Sequence, residues 1–126
     1  MIRLALLSLL AAGVAAAEVN VNGNDGNHKL DCRKDPVVNF FGNHNTFRIS
    51  GTCKQLNIGG NDNTITADTV AMITISGNRN TITATATDQV GVSGSTNVIA
   101  WKRTIKARKQ PAVLDRGDHN TITQTK

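Results

Sequence analysis

Gly77-Asn78-Arg79-Asn80-Thr81-Ile82-Thr83 is one copy of a phrase that the chain repeats. It returns as Gly60-Asn61-Asp62-Asn63-Thr64-Ile65-Thr66 and as Gly117-Asp118-His119-Asn120-Thr121-Ile122-Thr123. Looser copies read Gly42-Asn43-His44-Asn45-Thr46-Phe47 and Gly94-Ser95-Thr96-Asn97-Val98-Ile99. Self-similarity at a near-fixed period is the signature of a stacked repeat, in which one small unit buries its apolar face against the next. Counted from Gly23, Gly42, Gly60, Gly77, Gly94 and Gly117, the units are 19, 18, 17, 17 and 23 residues apart.

Each glycine is flanked by two strand patterns. Four residues before it stand Val19, Val38, Leu56, Ile73, Val90 and Val113, and two before it Val21, Phe40, Ile58, Ile75, Val92 and Asp115. Polar or small residues lie between them, an alternation that sends one set inward and the other outward. Five residues after the glycine stand Phe47, Ile65, Ile82, Ile99 and Ile122, and seven after it Ile49, Ala67, Ala84, Trp101 and Gln124. The first unit fits this second pattern with one extra residue, which places Leu30 and Cys32 inward. The intervening Gly-Asn clusters are turn formers, and Thr and Ile favour strands.

The predicted fold is therefore all-β: a single-domain parallel β-solenoid (β-helix) of about six coils of 17–19 residues, two short strands per coil. An antiparallel sandwich also has short strands at regular spacing, but it does not require the same glycine and asparagine at fixed offsets. Phe40 and Phe47 make the early core bulky, and Trp101 widens its far end. Asp115 and Gln124 break the apolar columns in the last unit, as a terminal coil that blocks end-to-end pairing should.

Residues 1–17 read as a secretory signal: Arg3, the apolar run Leu4 to Leu10, then Ala15-Ala16-Ala17 before Glu18. The expected mature domain is 18–126, in the periplasm or outside the cell, soluble, and not a lipoprotein because no cysteine precedes Cys32. Without Arg3 the domain holds 13 Lys and Arg against 9 Asp and Glu, a net charge of about +4. Its two cysteines, Cys32 and Cys53, are expected to pair in that compartment. Neither has a metal-ligand companion at zinc-like spacing, and no metal or cofactor is expected.

Asn45, Asn63, Asn80, Asn97 and Asn120 stand three residues after their glycines. In stacked coils they form a structural turn ladder of amides. The next-to-last turn positions, Asp25, His44, Asp62, Arg79, Thr96 and His119, read as an exposed edge of mixed charge. Outward Thr64/Thr66, Thr81/Thr83 and Thr121/Thr123 resemble the grid of ice-binding solenoids, interrupted by Arg48, Val98 and Ala100. Asp68 and Asp88 follow the second strand at different offsets, so the repeat does not pair them for acid–base work, and no Gly-x-Ser-x-Gly elbow occurs.

The long unit after Gly94 carries a basic insertion loop, 102–116, with Lys102, Arg103, Lys106, Arg108, Lys109 and Arg116. A basic loop on a rigid scaffold suits anionic glycan or a membrane surface. Without interleaved aromatics it does not suit single-stranded nucleic acid. The expectation is a non-catalytic structural or binding module. An ice-binding protein and a small polysaccharide-acting enzyme using Asp68 or Asp88 are the alternatives.

The repeat Gly-Asn-x-Asn-Thr-Ile, the two cysteines, and Trp101, Pro111 and Gly117-x-x-Asn120-Thr121-Ile122 together resemble the bacterial exported family of unknown function, number 3060. The resemblance implies export and repeat architecture and brings no catalytic residue. The chain departs from that pattern at Val98, where the repeat usually has Thr.

Overall fold

The computed structural model describes residues 18–33, 36–106 and 108–126; the expected leader, 1–17, lies outside them. The described elements are nine strands: β1 (Glu18–Asn22), β2 (Asn27–Asp31), β3 (Val37–Phe41), β4 (Thr46–Asn61), β5 (Thr64–Asn78), β6 (Thr81–Ser93), β7 (Val98–Arg103), β8 (Ala112–Asp115) and β9 (Thr121–Gln124). Every pairing between them is parallel. One side of the solenoid runs β1-β3-β4-β5-β6-β8, and a second runs β2-β4-β5-β6-β7-β9. Strands β4, β5 and β6 are long because each bends around a corner and serves both sides.

The sequence pattern gave two strands per coil; the structure adds a short third side. Thr52-Cys53 pairs with Thr69-Val70, which pairs with Ala86-Thr87. Two residues are too few to display an alternation, so the repeat did not reveal this segment. About five turns close, against the six expected, because the sixth consists of β8 and β9 only.

The registers turn the repeated apolar residues into ladders. Leu56, Ile73 and Val90 stack in one column, Ile58, Ile75 and Val92 in the next, and Phe47, Ile65, Ile82 and Ile99 on the opposite side. All are buried. Burying one such side chain contributes about 1.5–3 kcal/mol, and each central coil adds at least three. The Phe40 and Phe47 rings stack with centroids 3.6 Å apart, filling the bulky second coil. Trp101, 5% exposed, closes the column of Ala67 and Ala84.

Two expectations change at the ends. The first coil needs no extra residue before its second strand: His28 pairs with Phe47 and Leu30 with Ile49. The His28 ring stacks on Phe47 at 4.8 Å, taking the place of an aliphatic residue at the rim, where one face of the ring is open. Leu30 does face inward, but Cys32 lies past the strand. The additional residue of the second coil sits instead at a bulge, where Ser50 and Gly51 oppose Asp68 alone. Gly51 takes φ +82° there, and its N–H donates to Asp68 Oδ2 at 3.3 Å. At the other end Asp115 follows Val92 and Gln124 follows Trp101 in register. These polar residues end two columns, yet Val113 remains 48% exposed, with no coil stacked beyond it among the described residues.

Cys32 and Cys53 form a disulfide, Cα–Cα 5.1 Å, that ties the first coil to the third side of the second. It closes a loop of 21 residues, which by chain entropy stabilises the fold by about 3 kcal/mol. For a domain of roughly 100 residues each kcal/mol moves Tm by about 4–8 °C. Cys32→Ser/Cys53→Ser should therefore melt roughly 12–24 °C lower in a thermal scan. A reducing agent should do the same to the parent and nothing to the double variant.

Candidate functional site

The turn between the two long sides is built by two amide ladders of opposite polarity. In the first, the backbone N–H groups of Asn45, Asn63, Asn80 and Asn97 each donate to the side-chain Oδ1 of the next coil's asparagine at 2.9–3.0 Å. Each Nδ2 of this column reaches back to a glycine carbonyl, for example Asn80 to Gly60 at 3.0 Å. In the second, the N–H groups of Asn43, Asn61, Asn78 and Ser95 donate to Oδ1 of the preceding coil's Asn24, Asn43, Asn61 and Asn78 at 2.8–3.0 Å. The second ladder was legible in principle, since the asparagine directly after the glycine also recurs.

Between the ladders, Asp25, His44, Asp62, Arg79, Thr96 and His119 hold left-handed backbone, φ 55–59°. Their side chains form the exposed edge. Arg79 meets Asp62 with two hydrogen bonds, 2.8 and 2.9 Å, while His44 lies 3.7 Å from Asp62 and 4.0 Å from Asp25. The hydrogen bond from Arg79, more than its charge or that of His44, holds the Asp62 carboxyl below the usual carboxylate range. The site is solvated, so it is a surface trim of small energetic consequence.

The basic loop occupies the third side of the fifth coil. Arg103 still pairs with Ala86, after which the chain leaves the stack and is caught by Asp88. That carboxylate is 8% exposed and accepts the N–H groups of Ile105 and Lys106 through Oδ1 at 2.8 and 3.1 Å. The Thr104 hydroxyl lies 2.6 Å from the Lys106 carbonyl and 2.8 Å from that of Arg108. Pro111 then returns to the buried surface. The loop backbone is thus held at residues 104–106 and at Arg108, while Lys102, Arg103, Lys106, Arg108 and Lys109 are all exposed. Among the described residues none of these five lies within 4.0 Å of a carboxylate.

Family models match residues 41–78 and 69–119, together more than half of the chain, to "Protein of unknown function (DUF3060)". The chain belongs to the DUF3060 family. No curated protein and no solved structure matches it.

In this DUF3060 chain the six predicted cations do not form one group. Arg116 stands beyond the far end of β8, which at about 3.3 Å per residue puts it more than roughly 13 Å from the loop. It lines a hollow with Leu114 and Ser93. A cation that the sequence did not single out joins the loop instead: Lys54 and Lys106 border one hollow of about 240 Å³ with Gln55, Gln89 and Asp88. Lys54 and Asp88 occupy equivalent places two coils apart, and only the third side brings them into line.

The other candidates of the DUF3060 chain are placed as follows. Thr64, Thr66, Thr81 and Thr83 are exposed side by side, but Arg48 precedes them and Val98 and Ala100 follow them in register. Only two adjacent coils therefore present a full Thr-x-Thr pair before the gap. Asp68 is exposed and Asp88 buried beneath the loop. No group of three or more His, Cys, Asp or Glu residues suited to a metal ion occurs among the described residues. No helix long and apolar enough to cross a membrane occurs among them either.

Proposed function

We propose that the protein is a non-catalytic binding module that works after export and holds acidic glycan through the basic loop. The observation that supports this reading most directly is the loop backbone, held at residues 104–106 and at Arg108, bearing five exposed cations that have no ion-pair partner among the described residues. Unpaired cations on an ordered segment keep their full attraction for an anionic polymer and lose little backbone entropy on binding. The charges follow one another along the exposed loop, and Lys106 alone of the five borders a hollow, a spread that suits repeating carboxylate or sulfate groups. The disulfide is consistent with an oxidising compartment. Asp88, the buried carboxylate, is committed to the loop's N–H groups, so its role in this reading is anchorage.

Each solvated charge pair contributes about 0.2–1 kcal/mol, so replacing Lys102, Arg103, Lys106, Arg108 and Lys109 by Ser should weaken binding to an acidic polysaccharide roughly 100-fold. Retention on immobilised alginate and heparin across a salt gradient measures this. Equal retention of the parent and the five-Ser variant overturns the reading, and retention only on anionic vesicles assigns the loop to lipid. Replacing Asp88 by Asn, which keeps an acceptor, should preserve binding, whereas Asp88→Ala should lower it by freeing the loop.

A further inference from the structure

The side formed by β1, β3, β4, β5, β6 and β8 carries a groove on its outer surface. Three adjoining hollows of about 680, 350 and 200 Å³ share Thr74 at their centre. They run from Phe41 on β3 to Leu114 on β8, four coil steps, or about 19 Å at the parallel-strand spacing. The floor is low because Gly59 and Gly91 point outward there with no side chain.

Its walls combine three kinds of chemistry. Phe41 is 52% exposed, and its ring is laid across the neighbouring strand: a Cβ on Gly59 would come within 2.9 Å of Phe41 Cδ1. One ring face is therefore supported by backbone and the other faces solvent. Beside it the outward amides are held in place by one another. Asn57 Nδ2 donates to Asn39 Oδ1 at 2.7 Å, Asn39 Nδ2 to Asn20 Oδ1 at 2.8 Å, and Gln55 Nε2 to Asn57 Oδ1 at 2.8 Å. A side-chain amide has two N–H donors and two lone pairs, so Asn57 keeps one donor and one acceptor for a ligand, whereas Asn39, whose Nδ2 also donates to Glu18 Oε1 at 3.3 Å, keeps one acceptor lone pair. Thr74 and Ser76 add hydroxyls. Arg116 is the single charge on the lining, and it stands at one end.

These features select among ligands. An extended peptide adds to a sheet through an open strand edge, and the backbone groups beneath this groove are already paired from coil to coil. An acidic polymer would find one cation. A pyranose chain offers apolar C–H faces to an aromatic ring and adjacent hydroxyls to a fixed amide, and it can lie along successive coils. We propose that this groove binds an uncharged, extended polysaccharide chain, with Phe41 as the stacking platform and Asn39 and Asn57 as the hydroxyl-reading groups. The site is separate from the basic loop and does not depend on the loop's function.

The test is titration of the full domain with cellohexaose, laminarihexaose and chitohexaose, by calorimetry and by NMR. Working at about 1 M NaCl, where the Debye length is about 3 Å, silences the loop. At least one hexasaccharide should bind, and the five-Ser loop variant should bind it equally. Phe41→Ala should weaken binding at least tenfold, and Asn57→Ala several-fold. Gly59→Ala, which lifts the ring without removing it, should also weaken it. Phe41 and Asn57 face outward, so unchanged circular dichroism in these variants keeps the result interpretable. No binding of any of the three sugars overturns the proposal. So does binding that is indifferent to both Phe41→Ala and Gly59→Ala, or displacement of the sugar by an extended uncharged peptide.

Discussion

Gly77→Ala should prevent the domain from folding. The leading glycines stack so closely that a Cβ on Gly77 would stand 1.9 Å from the Gly60 carbonyl oxygen and 2.8 Å from its carbon. Both are backbone atoms of a paired strand, so neither can move aside without parting the coils. Gly77 also takes φ +152°, a conformation open to glycine and strained for alanine. Overlap and strain together should exceed about 5 kcal/mol, the whole stability of many small domains. The expected readout is loss of the cooperative melt and of soluble yield. Gly23→Ala separates the two contributions. Gly23 has φ +138° but nothing within 4 Å of its Cβ position, because no coil stacks before it among the described residues, so it should lose only about 1–3 kcal/mol. Gly91→Ala, open and without a positive φ, should melt like the parent. Equal behaviour of Gly77→Ala and Gly23→Ala would overturn the role assigned to coil contact.

The stacked architecture was legible because each coil repeats the same physical demands. A glycine must approach its predecessor, an asparagine must pair its turn, and an isoleucine must fill the column, so the phrase around Gly77 records contacts made to its own copies. What escaped the sequence is what occurs once or spans too few residues. The third side is two residues per coil, and the bulge at Gly51 is a single event. His28 occupies an aliphatic position because the rim tolerates it, so periodicity pointed past it to Leu30 and Cys32. The site was legible to the same extent. Clustering in the sequence identified Lys102 to Lys109, but chain proximity also drew in Arg116, which β8 carries away. Lys54 is remote in sequence and comes near the loop only through coil stacking. The groove gave no signal of its own, since Phe41 belongs to one coil and Asn57 and Gly59 to the next, and their outward positions look like ordinary solvated strand residues.

Asn80→Ala should lower stability by about 3 kcal/mol or more, the largest effect expected of any polar substitution. The side chain is fully buried. Its Oδ1 accepts both the backbone N–H and the Nδ2 of Asn63 at 3.0 Å, and its Nδ2 donates to Gly60 O at 3.0 Å and to Asn97 Oδ1 at 3.1 Å. Truncation strands the Asn63 N–H and the Gly60 carbonyl away from water, at about 1–3 kcal/mol each. Asn120→Ala, at the open end where water can substitute, should lose about 1 kcal/mol. Asn80→Asp tests the donor side of the ladder by itself. It retains the accepting oxygen but aims a second carboxylate oxygen at Gly60 O and Asn97 Oδ1. Burial and this repulsion raise its folded-state pKa above the unfolded value, so the fold binds the proton more tightly and stability falls as pH rises through the titration. Relative to the parent at each pH, Asn80→Asp should therefore be more destabilised at about pH 7 than at about pH 4. The parent must be the reference because Asp62, whose pKa is lowered by Arg79, gives up its own small contribution in acid. A deficit for Asn80→Asp that does not shrink on acidification would show that the Nδ2 donors contribute nothing, and that the ladder is held by its backbone N–H bonds alone.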